Sequence, residues 1–149
     1  MSPASAVPPA RPKAVPIPTP ETQPYWDGAA AGELRIQRCL DCREAYFYPR
    51  PLCPSCGSGN VEWFTASGRA TLYSYVINHR PAPGFEADAP YAIAVVQLAE
   101  GPRMMSNLVG VATTPEALQL DMELRVAFER RGEVSLPVFT PAESEAEGL

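Results

Sequence analysis

All four cysteines of this 149-residue chain occur in two C-x-x-C pairs, Cys39 with Cys42 and Cys53 with Cys56, ten residues apart. Four thiolates presented by two tight turns are the usual ligands of a structural zinc, with Zn–S distances of about 2.3 Å. The ten-residue spacer is long enough for one strand out and one strand back. The spacing therefore predicts a zinc ribbon in which these four cysteines hold a structural Zn²⁺.

Three other uses of four cysteines are known in proteins. A thioredoxin-type redox pair needs one C-x-x-C at a helix start in a βαβ setting, which the pattern lacks. Structural disulfides conflict with the cytoplasmic, reducing location expected for a chain whose N-terminus has no secretion-type apolar segment. An iron site of the rubredoxin kind uses the same ligands and stays an alternative to zinc. In either case four sulfurs fill the coordination sphere, so the metal is structural.

The chain ends and the ribbon have distinct compositions. Residues 1–20 contain seven prolines and predict a disordered leader, and the acidic run 142–149 predicts a loose tail. The zinc ribbon is assigned to residues 36–64. A ribbon of roughly 30 residues buries too little apolar surface to fold alone, so we expect metal binding to supply its folding free energy.

A short helix is predicted within residues 21–35. Pro24 suits a first helical position, Gly32 suits the position just past the end, and alanines lie between them. Tyr25 and Trp26 fall near the start of this segment. Two interpretations are equally open: the aromatic pair anchors the helix on its own domain, or it contributes to a partner-binding surface.

The pattern from Gly68 onward is β, with β-branched and aromatic residues in short runs. A helical turn capped by Thr114 precedes the fourth run. The predicted strands are 68–79, 91–98, 103–111, 122–129 and 133–140. The fold class is therefore mostly β: a short N-terminal helix, a rubredoxin-like zinc ribbon, and a five-stranded OB-fold barrel over residues 65–141.

Charge and hydropathy restrict the partners. The net charge is −5, and the barrel segment has no basic stripe of the kind that displaces counterions from phosphates. The charge pattern therefore argues against nucleic acid as a partner. A single-stranded nucleic-acid-binding module remains the alternative of another class, since OB-folds and zinc ribbons both serve that role. No apolar run approaches the roughly 18 residues of a transmembrane helix, so no membrane association is expected.

Several longer runs resemble one known family. "PYWDGAAAGELRIQRCLDC" resembles the opening of the zinc-ribbon plus OB-fold proteins associated with acyl-CoA metabolism, long catalogued as a domain of unknown function. "YPRPLCPSCGS" is similar to their second knuckle, "WFTASGRATLYSYVINHRP" to their first barrel strand, and "LPVFTP" to their end. The resemblance covers about residues 20–140. Asp121 departs from it, because the family usually has Gly there, and a different turn before the fourth strand is expected.

The resemblance implies a function in partnership. Such chains pair with thiolase-superfamily or lipid-transfer-protein-like subunits that act on CoA thioesters, including aldolases that cleave hydroxylated steroid-CoA side chains by retro-aldol chemistry. The expectation is an accessory subunit of a hetero-oligomer, most specifically of a steroid-CoA retro-aldolase, whose OB-fold shapes the substrate passage. Thiolase and acyltransferase complexes of other acyl-CoA pathways are the alternative.

The chain shows little catalytic machinery of its own, because it has one histidine and no cysteine outside the metal site. An independent small-molecule enzyme is therefore disfavoured. His79, Arg80, Tyr91 and Arg103 are candidate contacts to CoA or to the substrate passage, arginine because its guanidinium binds phosphate bidentately. Each is also explained as an ordinary strand-end, surface or core residue. No residue is assigned a catalytic role.

Overall fold

The computed structural model describes residues 12–142. The first part of the predicted leader and almost all of the predicted tail lie outside the described residues. The predicted short helix is confirmed as α1, Gln23–Ala30, with Pro24 in its first turn. Gly32 follows with φ +80°, a conformation that costs glycine little. No helix within residues 12–142 is both long enough and apolar enough to span a bilayer.

The ribbon is a three-stranded antiparallel sheet with the order β2-β1-β3. Its strands are β1 (Arg35–Cys39), β2 (Ala45–Tyr46) and β3 (Val61–Thr65). Cys39 ends β1 and lies directly opposite Val61, the first residue of β3. The last side chain of the central strand, that of Cys39, therefore lies at the metal-binding end of the sheet.

Five strands close into the predicted barrel, in the order β4-β5-β6-β8-β7, with β7 returning to β4. These are β4 (Arg69–Asn78), β5 (Tyr91–Leu98), β6 (Arg103–Leu108), β7 (Glu123–Arg131) and β8 (Val134–Pro141). All pairs are antiparallel except β6 with β8. A bulge between Leu72 and Ser74 bends β4, and such bends let a sheet curl into a barrel. The OB-fold prediction is confirmed.

Helix, ribbon and barrel share one apolar core. Trp26 from α1, Ile36 from β1, and Leu72 and Phe139 from the barrel belong to the same cluster of buried side chains. A second, smaller cluster joins Cys39, Cys53 and Tyr46 at the metal-binding end. The ribbon is therefore braced on the barrel by β1 and α1, while its far end is built around the cysteines.

The contact between β6 and β8 is short. The two strands pair at Leu108 and Phe139, where the backbone N–H of Val109 also donates to the Phe139 carbonyl at 2.9 Å. Pro137 in β8 has no N–H to donate, and its carbonyl accepts a hydrogen bond from Ser106 Oγ at 2.9 Å instead. Beyond their single paired position, the described parts of β6 and β8 are therefore joined by this side-chain hydrogen bond rather than by a backbone ladder.

The connection from β6 to β7 differs in detail from the prediction. β6 ends at Leu108 rather than at residue 111, because Gly110, at φ +71°, turns the chain away. The segment that follows forms a single turn, in which the backbone N–H of Leu118 donates to the Thr114 carbonyl at 3.0 Å. Asp121 then adopts φ +71°, so its backbone has the conformation that a glycine would favour.

Residues 12–18, here called the N-terminal strap, have no regular secondary structure but lie against the barrel. Lys13 Nζ is 2.5 Å from Asp88 Oδ2 and 4.9 Å from the centre of the Phe85 ring. Arg131 Nη1 donates to the Ala14 carbonyl at 3.5 Å. The sequence predicted a disordered leader through residue 20 and gave no sign of these contacts between the strap and the barrel. The barrel residues involved lie more than 70 positions away along the chain.

Candidate metal centre and barrel surface

The four cysteine sulfurs converge at the free end of the ribbon. All four Sγ atoms lie within 4.8 Å of one another, and the pairs Cys39–Cys56 and Cys42–Cys53 are each 3.6 Å apart. A disulfide would require about 2.05 Å, and all four thiols are free. Four sulfurs at about 2.3 Å from a central ion would be about 3.8 Å from each other in a regular tetrahedron. The arrangement fits one tetrahedral metal ion.

The two C-x-x-C turns are built in the same way. In the first, the backbone N–H of Arg43 donates to the Cys39 carbonyl at 2.9 Å; in the second, the N–H of Gly57 donates to the Cys53 carbonyl at 2.9 Å. The N–H of each first cysteine in turn donates across its turn, to Glu44 at 2.9 Å and to Ser58 at 2.8 Å. This repeat defines two zinc knuckles that hold the sulfurs in place.

Backbone amides lower the pKa of the first thiol of each C-x-x-C pair. The N–H groups of Cys42 and Asp41 point at Cys39 Sγ from 3.4 and 3.3 Å, and the bond from Cys42 is the main cause that lowers the pKa of Cys39 to about 7. At Cys53, burial raises the pKa, but the amides of Cys56 and Ser55 outweigh it and the pKa is lowered.

The second cysteines differ: a backbone hydrogen bond from Glu44 lowers the pKa of Cys42, but burial and the neighbouring cysteines outweigh it and raise that pKa to about 12, and the pKa of Cys56 is raised as well. Because metals bind the thiolate, metal binding must displace the protons of these two thiols.

Two side chains that the sequence analysis missed brace the spacer between the knuckles. Gln37, a buried polar residue of β1, accepts a hydrogen bond from the backbone N–H of Arg50 through Oε1 at 2.7 Å. The Tyr46 hydroxyl donates to the Arg50 carbonyl at 2.9 Å. The signal for Gln37 was available in the sequence, because it is a polar residue next to Ile36 in an otherwise core-forming strand.

The candidate CoA contacts divide between the two ends of β5. His79 and Arg80 are exposed just after β4, and the Tyr91 hydroxyl accepts a hydrogen bond from Asn78 Nδ2 at 2.9 Å at that same end. Arg103 pairs with Gln97 at the other end, about 20 Å along the strand. There its guanidinium stacks 3.7 Å from the centre of the Tyr73 ring. The structure thus brings three of the four candidates together and separates Arg103 from them.

The aromatic pair of α1 faces inward. Tyr25 and Trp26 are both buried, and their rings meet edge to face with centroids 4.8 Å apart. Trp26 Nε1 donates to Thr22 Oγ1 at 3.2 Å, and burial raises the pKa of the Tyr25 hydroxyl. These contacts are those of a helix anchored on its own domain. A role for the pair in partner binding stays a prediction.

A further cluster escaped the sequence analysis because its members come from three distant segments. The centre of the Phe85 ring lies 4.9 Å from the Lys13 ammonium and 5.3 Å from the Arg131 guanidinium. Arg131 Nη2 also lies 3.1 Å from Glu129 Oε2. The loop between β4 and β5 is thereby tied to the β7–β8 hairpin and to the strap.

Fold and site together define a class of protein: a four-cysteine zinc ribbon that continues into an OB-fold barrel. Two family models match consecutive parts of the chain. One, described as "ChsH2, rubredoxin-like zinc ribbon domain", matches residues 26–62, and the other, "ChsH2, C-terminal OB-fold domain", matches residues 63–129. The chain belongs to the DUF35 family, of which these ChsH2-type domains are the matching form.

Known relatives add three comparisons. A solved structure titled "Ltp2-ChsH2(DUF35) aldolase" superimposes with a TM-score of 0.74 at 36% identity, covering 86% of this chain and 99% of that one. A "DUF35 domain-containing scaffold protein" of Methanothermobacter thermautotrophicus is 32% identical over 65% of this chain and 72% of its own length. The "3-oxo-4,17-pregnadiene-20-carboxyl-CoA hydratase alpha subunit" of Mycobacterium tuberculosis is 35% identical over 83% of this chain.

The lengths of these relatives differ from that of this chain. The match spans only 38% of the mycobacterial hydratase subunit and 36% of a second protein, a "Probable enoyl-CoA hydratase alpha subunit" of Thermomonospora curvata. The chain therefore corresponds to about a third of each hydratase subunit but to essentially all of the chain in the aldolase structure.

Proposed function

We propose that this chain is the accessory subunit of a thiolase-like, lipid-transfer-protein-like enzyme that acts on acyl-CoA, and specifically of an aldolase that cleaves a steroid-CoA side chain. The single observation that carries the proposal is the match to the Ltp2-ChsH2 aldolase, which covers 99% of that chain. The steroid substrate is supported by the name of the mycobacterial relative.

The chemistry of the described residues supports an accessory role. All four cysteines are grouped in the candidate metal site, where a tetrahedral ion leaves no open position for substrate. His79 is exposed, and within residues 12–142 its side chain makes no hydrogen bond or ion pair. A general base or nucleophile needs a partner that orients it. The catalytic groups would then come from the partner subunit.

Each part of the fold has an assigned role in this proposal. The ribbon and α1 form a rigid unit that docks on the partner, held by the metal and by the shared core. The barrel borders the acyl-CoA passage, with His79, Arg80 and Tyr91 at one end. Arg103 belongs to a different surface.

A second candidate is an accessory module of an acyl-CoA hydratase. It is favoured by the two hydratase α subunits, each of which contains a matching region of this length. In that case the chain would correspond to the ribbon and barrel region of such a subunit. The alternative to the steroid-CoA aldolase is a thiolase or acyltransferase complex of another acyl-CoA pathway.

The proposal is tested by affinity purification of the tagged full chain from its native host, followed by co-expression of the chain with the thiolase-like protein recovered. We expect a stable complex that cleaves a hydroxylated steroid-CoA side chain, no turnover by this chain alone, and greatly reduced turnover by the partner alone. Turnover by the isolated chain would contradict the accessory role. Recovery of a hydratase subunit instead would support the second candidate.

A further inference from the structure

The N-terminal strap, residues 12–18, contains no buried residue. Val15 is 45% exposed and Ile17 is 85% exposed, so apolar burial contributes little to holding the strap on the barrel. The hydrogen bond from Arg131 Nη1 to the Ala14 carbonyl is long, at 3.5 Å. A segment with so few buried contacts opens at a low cost in free energy, and its charged contacts therefore decide whether it stays in place.

Lys13, the only lysine of the chain, makes these charged contacts. Its Nζ lies 2.5 Å from Asp88 Oδ2 and 4.9 Å from the centre of the Phe85 ring. A second carboxylate, that of Glu129, lies 3.9 Å from the same Nζ. A single exposed ion pair stabilises little, but an ammonium that interacts with two carboxylates and an aromatic face gains from each of them. Lys13 is therefore the main anchor of the strap.

The strap packs closely on the loop between β4 and β5, residues 79–90. At Gly84 in this loop, an added Cβ atom would lie 2.8 Å from both the Pro12 carbonyl oxygen and Lys13 Cα. Strap and loop thus meet backbone against backbone, an approach for which glycine leaves room. Because the contact surface is shared, movement of the strap also removes a support of the loop.

The base and the tip of this loop are held in different ways. At the base, the Tyr91 hydroxyl accepts a hydrogen bond from the backbone N–H of Ala82 at 3.2 Å. The tip is a short 3₁₀ turn in which the backbone N–H of Asp88 donates to the Phe85 carbonyl at 2.9 Å. The side chains of Phe85 and Asp88 are those that meet Lys13. Release of the strap therefore frees the tip of the loop and leaves its base in place.

The strap and the loop also border a cavity of about 300 Å³. Lys13 lines this cavity together with Phe85 and Tyr91 from the loop and its end, and Thr113 lines it from the connection between β6 and β7. Since Lys13 belongs to the wall, movement of the strap widens the opening of the cavity to solvent.

We propose that the strap is an ionic latch. The Lys13 ammonium holds the strap, and with it the tip of the β4–β5 loop, in the closed position of this structure. Weakening its ion pairs releases both segments, which exposes Phe85 and opens the cavity at the barrel end that carries His79 and Arg80. The latch is independent of the proposed function, because it uses only contacts within this chain.

The test measures cleavage of the full chain by chymotrypsin after Phe85, with the cleavage site identified by mass spectrometry. When opening and closing are fast relative to cleavage, the cleavage rate follows the population of the open form. Lys13→Gln removes the charge and should raise this rate about tenfold at low salt, because the ion pairs and the cation–π contact are lost together. Lys13→Arg keeps the charge and should stay close to the native rate. Ile17→Ser, in the same strap but without a charged contact, is the matched control and should also stay close to it.

Salt gives a second measurement that needs no variant. In NaCl at about 1 M the screening length falls to about 3 Å. Cleavage of the native chain after Phe85, normalised to a short peptide substrate at each salt concentration, should then rise toward the rate of Lys13→Gln, whose own rate should change little. NMR relaxation supplies the spatial check: in Lys13→Gln the backbone amides of Phe85 and Asp88 should gain mobility, and that of Ala82 should not.

Equal cleavage of the native chain and Lys13→Gln would overturn the latch. An Ile17→Ser variant as open as Lys13→Gln would also overturn it, because the strap would then be held by apolar contact. Cleavage that rises equally after Phe128, in β7, would mean that Lys13→Gln unfolds the barrel as a whole. The salt titration of the native chain then decides, and a cleavage rate after Phe85 that does not depend on salt would overturn the proposal.

Discussion

Arg43 and Gly57 occupy equivalent positions in the two knuckles. Each follows the second cysteine of its pair, each has a positive φ (72° and 80°), and each donates its N–H to the carbonyl of the first cysteine at 2.9 Å. The turn requires this left-handed conformation, which glycine adopts freely and which costs other residues about 1 kcal/mol or more. The first knuckle therefore stores strain that the second avoids.

Exchanging residues at these two positions should have unequal effects. Gly57→Ala should weaken zinc binding and lower the free energy of unfolding by about 1 kcal/mol, because alanine must adopt the left-handed conformation. Arg43→Gly should cause no such loss, because it relieves strain of the same kind. Competition with a zinc chelator and urea denaturation would measure both variants. An equal loss of stability and zinc affinity in the two variants would contradict the claim that both turns require a left-handed residue.

Removing the metal should unfold the ribbon's free end and spare the barrel. We expect one zinc per chain by elemental analysis. After chelation, amide protection should be lost over residues 39–60 and retained in β5, because the knuckle cluster contains little beside the cysteines while β5 belongs to the barrel core. Hydrogen exchange measures this directly.

Cys39→Ser should reproduce the effect of chelation. The exposed neighbour Leu40→Ser is the matched control, because it lies in the same knuckle and supplies no ligand. Iron in place of zinc would identify the rubredoxin-type alternative, and protection lost equally from ribbon and barrel would contradict the prediction.

The carboxylate of Asp41 should titrate at a lower pH than an ordinary aspartate. Ser58 Oγ donates to it, and Asn60 Nδ2 donates at 3.3 Å; the bond from Ser58 is the main cause that lowers the pKa of Asp41. Because the folded-state pKa lies below the unfolded one, this contact stabilises the fold above about pH 4 and its contribution disappears as the pH falls through the folded-state pKa.

Ser58→Ala should move the pKa of Asp41 back toward its ordinary value, as followed by NMR titration of the carboxyl carbon. Ser55→Ala is a suitable control, because Ser55 contacts the site through its backbone N–H. If the two alanine variants titrate alike, the hydroxyl of Ser58 is not the cause of the shift.

Replacing Asp121 should show that its turn needs a left-handed residue. Asp121 has φ +71°, and its N–H donates to the Leu72 carbonyl at 2.7 Å, which ties the turn to β4. Asp121→Gly should hold or raise the free energy of unfolding by up to about 1 kcal/mol, whereas the β-branched Asp121→Val should lower it by about 1–2 kcal/mol. Urea denaturation measures both, and a stability gain in the valine variant would refute the conformational argument.

The sequence predicted those elements whose signal is local. The strand Tyr91–Leu98 begins and ends where its apolar run does, because every second side chain enters the barrel. The spacing of the four cysteines likewise predicted the metal site, because the ligands of each pair lie within one short turn. At Asp121 the aspartate adopts the left-handed conformation that a glycine would favour, and the expected change of turn relative to the family stays a prediction.

What the sequence by itself determined is therefore the ribbon, the OB-fold and the metal ligands, all of which follow from periodicity or from spacing over a few residues. Only the tertiary structure decided that Tyr25 and Trp26 face the core, that Arg103 lies far from Tyr91, and that Arg131 meets the strap. These relationships depend on how barrel closure brings distant segments together. Closure is a property of the whole chain, with no signature in any single stretch of it.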